Sequence, residues 1–130
     1  MANPNIVSVT TINGESVGWN LTNTVTTALF TVAADKLIKI NRIVCANVDG
    51  SAAADLTLYV DTNVQTSAGG TVAGGAADVY LAKTISVPAD SSLVVSDTPI
   101  YLRELDVLKG GASAASDLDL FISYEVLDDA

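Results

Sequence analysis

The chain reads as a single all-β sandwich, and three observations predict it. Apolar residues recur at every second position over much of its length, with Val, Thr and Ile abundant. The apolar spacing never settles at the 3.6-residue period of a helix, and Thr and Val are poor helix formers. Turn-forming residues recur at short intervals, among them Gly14, Asn23, Asp49-Gly50 and Pro88. A length of 130 residues suits one domain. About eight strands in that length predict an antiparallel β-sandwich, preferably jelly-roll-like. An immunoglobulin-type Greek key is the alternative, but a Cys…Trp…Cys pattern is impossible with one cysteine.

Each element follows from local pattern. Ile6 to Ile12 predicts a first strand, broken by Gly14. Ser16 to Leu21 and Val25 to Val32 follow, separated by a turn at Asn23. In the long segment Leu37 to Val48, Ile38 and Ile40 share one face, and Ile43 and Cys45 then change phase. That shift predicts a bulge at Asn41 or Arg42. Leu56, Leu58 and Val60 alternate with Thr57, Tyr59 and Asp61, the cleanest strand of all. Ser67 to Gly75 is a small-residue loop. Asp78 to Val87 is a strand closed by Pro88, and Leu93 to Val95 is a short one. Ile100 to Leu108 holds one or two short strands around Arg103-Glu104, and Gly110 to Ser116 reads as a second small-residue loop. Leu118, Leu120, Ile122, Tyr124 and Val126 define the last strand. The division expected is an N-terminal arm and first strand, residues 1–12, able to reach a neighbouring subunit, and a sandwich domain, residues 13–130.

Composition excludes several function classes. Hydrophobic residues are 49% of the chain and charged residues 16%, against roughly 25% in ordinary globular domains. A surface of small, uncharged residues is cheap to desolvate, which suits a packed interface. The net charge is −9. Lys36, Lys39, Arg42, Lys83, Arg103 and Lys109 are scattered, so neither nucleic acid nor an anionic membrane surface is expected as a partner. No secretory signal is visible at the N-terminus, and no run approaches the ~18 apolar residues that span a bilayer. A soluble chain made in a cytoplasm is expected.

Catalytic groups are scarce. There is no histidine, which removes Ser-His-Asp and Cys-His nucleophile systems and His-based metal sites. Cys45 lies in an apolar run with no base to activate it and reads as a small buried hydrophobe. The pairs Asp117/Asp119 and Glu104/Asp106 resemble the paired carboxylates of glycosidases. Solvated surface positions explain them better. Asp49, Asp55, Asp61, Asp97, Asp128 and Asp129 offer oxygen ligands for calcium without EF-hand spacing. No cofactor, metal or catalytic residue is therefore assigned, and the chain is not expected to be an enzyme. Gly69-Gly70 and Gly74-Gly75 lack the Gly-Lys-Ser/Thr ending of a phosphate loop. They suggest a loop tip that orders against a neighbour. Asn20-Leu21-Thr22 matches a glycosylation acceptor by pattern alone. Trp19 either caps the core or anchors an interface. The interface candidates are thus Ile6, Val7 and Val9 in the arm, Trp19, and the four glycines Gly69, Gly70, Gly74 and Gly75.

A family resemblance sharpens the expectation. Ile85-Ser86-Val87-Pro88-Ala89 leads through Leu93-Val94-Val95 to Pro99-Ile100-Tyr101-Leu102-Arg103-Glu104-Leu105-Asp106, and the chain closes on Leu120-Phe121-Ile122-Ser123-Tyr124-Glu125-Val126. This series resembles small structural proteins of tailed bacteriophages, in which a Val-Pro-Ala strand end, a Tyr-Leu strand, a Glu-Gly-Asp turn and a final Ser-Tyr-Glu strand follow one another. Leu105 stands where the glycine of that turn would be. The resemblance implies a virion component on the outer capsid surface, a head decoration or cement protein. It would be a homotrimer whose partners are itself and the major capsid protein. A tail or neck module binding a host receptor or carbohydrate is the alternative.

Overall fold

The computed structural model describes residues 7–62 and 78–128. Its strands are β1 (Thr11–Asn20), β2 (Ala28–Thr31), β3 (Lys36–Asn47), β4 (Ala54–Asp61), β5 (Asp78–Val87), β6 (Ser92–Ser96), β7 (Ile100–Leu102), β8 (Val107–Ala112) and β9 (Leu118–Asp128). No described residue is helical. One sheet runs β1-β9-β3-β6, with the short β7 also paired to β3, and the other runs β2-β8-β4-β5. Setting β7 aside, the antiparallel pairing is nested: β1 with β9, β2 with β8, β3 with β6, β4 with β5. First pairs with last and each successive pair lies further in, which is the jelly roll.

The core lies between the two sheets. β3 contributes Ile38, Ile40, Ile43 and Cys45, β4 contributes Leu56, Leu58 and Val60, and β9 contributes Leu118, Leu120 and Ile122. The predicted bulge is present. Ile40 pairs with Tyr124 and Arg42 with the adjacent Ser123, so Asn41 is the extra residue on β3. Without it, the period of two would turn Ile43 and Cys45 out of the core that Ile38 and Ile40 occupy.

Several expectations need correction. Residues 7–10 form a turn and a bend, and the strand begins at Thr11 and runs through Gly14 without a break. Gly14 is held in register by paired neighbours on both sides, against Glu125. Of Val25 to Val32, only Ala28 to Thr31 is strand. The residues before it lie against β8 through isolated bonds, Ala112 N–H to Thr22 O (2.9 Å) and Gly110 N–H to Thr27 O (3.1 Å).

Gly110, Gly111 and Ala112 are the end of β8, not a loop. A Cβ on Gly110 would lie 2.4 Å from Thr57 O, and one on Gly111 would lie 2.8 Å from Thr24 O. Small residues are there because neighbouring backbone approaches closely. The Ser67–Gly75 loop lies outside the described residues.

Candidate functional site

One of the two acid pairs is built into a turn. Glu104 and Asp106, expected on the surface, are buried. They build the turn between β7 and β8. Glu104 Oε2 accepts the Asp35 N–H (2.9 Å) and Asp106 Oδ2 accepts the Arg103 N–H (2.9 Å). Leu105 between them sits at φ 67°, the left-handed region in which glycine is at ease. Bonds from Leu105 N–H to Val32 O and from Val32 N–H to Asp106 O, both 2.9 Å, hold the turn.

Asp49, Asp61, Asp119 and Asp128 serve local structure. Asp49 Oδ1 accepts the N–H and hydroxyl of Ser51, each at 2.9 Å, which holds its carboxyl below the ordinary range. Asp61 accepts from Lys109 at 2.8 Å, raising that ammonium's pKa. Asp128 pairs with Lys36, and Asp119 accepts from the Asn20 amide at 2.7 Å. That bond also engages the side chain of the glycosylation-like Asn20. Among the described residues, no group of three or more His, Cys, Asp or Glu is placed to hold a metal ion.

Cys45 is fully buried in the core, and burial pushes its thiol up to about 11, the Asp119 charge adding to the effect. A protonated, enclosed thiol is no nucleophile.

One groove opens between β2 and the β3–β9 pair. Its volume is about 220 Å³, and Phe30, Val32, Ile38, Tyr124 and Val126 line it with Lys36. That is below the roughly 300–1,000 Å³ of small-molecule sites. Its one cation is already paired with Asp128. Trp19 is half-buried and packs toward the core, 6.2 Å from Phe30, which lies 5.5 Å from Tyr124.

The outward faces of the sheets carry the remaining features. On the β2-β8-β4-β5 sheet, Tyr59 and Tyr80 stack at 4.9 Å and the Lys83 ammonium lies 4.9 Å over the Tyr80 ring. Tyr59 is buried and the Tyr80 face is occupied by Lys83, so this pair offers no open platform for a sugar ring. On the other sheet, register aligns Gly18, Phe121, Val44 and Val94 in one row across four strands. Phe121 is 52% and Val94 45% exposed. Among the described strand residues, the charges on that face are Asp119, Glu125, Lys39 and Arg42, two of each sign.

Of the sequence-predicted interface residues, Val7 is exposed, Val9 and Trp19 are half-buried, and Ile6 and the four loop glycines lie outside the described residues. Sequence reasoning missed the Phe121 row. Its signal was present in the alternation of β9, which turns Phe121 away from Leu120 and Ile122, but the aligned neighbours come from three distant segments. Comparison of the chain with protein-family models, with curated proteins and with solved structures finds no match in any of the three.

Proposed function

We propose that this chain is a non-catalytic structural protein of a tailed-bacteriophage virion, which decorates the outer head surface and stabilises the shell. The observation that carries the reading is the outward face of the β1-β9-β3-β6 sheet. It is charge-balanced and bears an exposed apolar row on an otherwise acidic molecule. Such a face, in which Lys39 is already paired with Glu125, costs less to desolvate against a protein partner than an acidic one. The sequence resemblance supplies the class of partner, the major capsid protein. The mechanism is buried interface spread over neighbouring capsid subunits, each small and the sum large.

Quantitative gel analysis of purified particles tests this. Hundreds of copies per particle, lost when Phe121 is changed to Asp, are expected. A copy number of about a dozen or fewer would overturn decoration and place the chain in the neck or tail, as a symmetric ring or fibre component.

A further inference from the structure

We propose that β1 is an edge that pairs with β1 of a second copy, joining two molecules through one continuous sheet. The inference rests on the edge geometry and is independent of the virion reading.

Among the described residues each sheet has two edges, and three of the four carry devices that block strand addition. The β2 edge is four residues long and has a register shift. The β5 edge has two register shifts, Lys83, and Thr84 at φ 49°. The β6 and β7 edge is split into five and three residues with Pro99 between. Short strands, bulges, charges and proline are the standard ways to prevent edge-to-edge pairing. Apart from the single charge of Glu15, β1 has none of them. It is ten residues long, in unbroken register with β9, free of proline, and has Glu15 as its one charge. Among the described residues, no strand pairs with its outer side.

The hydrogen-bond phase shows what this edge offers. Leu21 N–H donates to Leu118 O at 2.8 Å, in the same register as the β1–β9 ladder. Odd-numbered β1 residues therefore bond to β9. Ile12, Gly14, Ser16, Gly18 and Asn20 direct their N–H and C=O outward.

A second copy is the partner that matches this pattern. Pairing β1 with itself about a two-fold axis satisfies both edges at once and closes the assembly. Charge favours it as well. The chain holds fifteen acidic and six basic residues, and the adjoining sheet face takes two of each. Glu15 is the one charge of β1 itself, so among the described residues most of the excess negative charge lies away from this side, which lessens the repulsion between two acidic molecules.

Self-pairing even with even leaves two centred registers. Centring on Glu15 sets two carboxylates directly opposite, which is unfavourable. Centring on Ser16 sets Ser16 against Ser16, Gly14 against Gly18 and Ile12 against Asn20 of the second copy. Each Glu15 then faces Val17. The ladder would contain roughly ten hydrogen bonds, two per narrow pair.

Sedimentation of the full chain, with Gly14→Pro, Ser16→Lys and Ser16→Cys, tests the proposal. Gly14 has open space around its Cβ position, and its N–H faces outward, so proline there spares the β1–β9 bonds. A wild-type dimer is expected, with Gly14→Pro and Ser16→Lys monomeric and circular dichroism unchanged. Under oxidation Ser16→Cys should cross-link, because opposed residues of a narrow pair lie about 5.5 Å apart at Cα. Cys45 is buried and gives no background. If Gly14→Pro fails to fold, Ser16→Lys decides. A wild-type monomer or trimer at the highest soluble concentration, or a dimer that Ser16→Lys leaves intact, overturns the proposal.

Discussion

At the scale of single residues, Leu105, Cys45 and Asn47 carry separable consequences. Leu105 holds a left-handed backbone that glycine adopts more readily, and the residue is 42% exposed. Leu105→Gly should stabilise the fold by up to about 1 kcal/mol, the strain relieved less the entropy glycine adds to the unfolded chain. A rise in the urea midpoint would show it. Cys45 titrates near 11 when folded, above its ordinary value of 9. The unfolded thiol therefore loses its proton first. The stabilising contribution is complete below pH 9 and is lost as pH climbs to about 11. Burial also raises the phenols of Tyr59 and Tyr124, which act in the same direction at still higher pH. Thermal melts of wild type and Cys45→Ala between pH 8 and 10 should separate the terms, the variant having the flatter slope. Asn47 is buried, and its amide donates to Ala52 O (3.0 Å) and Val87 O (2.8 Å) while its Oδ1 accepts the Asp49 N–H (2.8 Å). Asn47→Ala leaves these backbone groups unsatisfied and should cost roughly 2–3 kcal/mol in equilibrium unfolding.

At the scale of elements, strands with one buried face were the legible ones. Leu56-Leu58-Val60 and Leu118-Leu120-Ile122 alternate because one side of each strand meets the core, and the structure buries all six. The Asn41 bulge was legible for the same reason, since two apolar runs of opposite phase in one strand require an extra residue. The β1 boundary was not legible. Its ten residues are almost all exposed, so no buried face imposes alternation, and Gly14 looked like punctuation. Gly110 and Gly111 were misread because glycine signals either chain freedom or close approach, and only the neighbouring strand tells which. Gly110→Ala would drive a Cβ into the Thr57 carbonyl. The backbone cannot swing aside as a side chain would, so a loss on the order of 2–3 kcal/mol is expected, measurable by chemical denaturation.

At the scale of the whole molecule, charge governs association. A chain of net charge −9 repels its own copies over distances set by salt. Raising ionic strength from 0.01 to 0.15 M shortens the screening length from about 30 to about 8 Å. The β1-paired dimer should therefore tighten as salt is added, and sedimentation at the two ionic strengths would show it. A contact held by ion pairs would weaken instead.

The sequence by itself determined the all-β class, the sandwich, the positions of most core residues and the lack of a histidine-based catalytic system. These depend on residue type and on a period of two, which are local. Only the tertiary structure decided the nested strand order, the buried place of Glu104 and Asp106, the row from Gly18 to Val94 and the unprotected state of β1. Each of these depends on which distant segments become neighbours, and backbone pairing is nearly indifferent to sequence identity. The choice among pairings is made by burying every apolar face at once, a property of the whole chain.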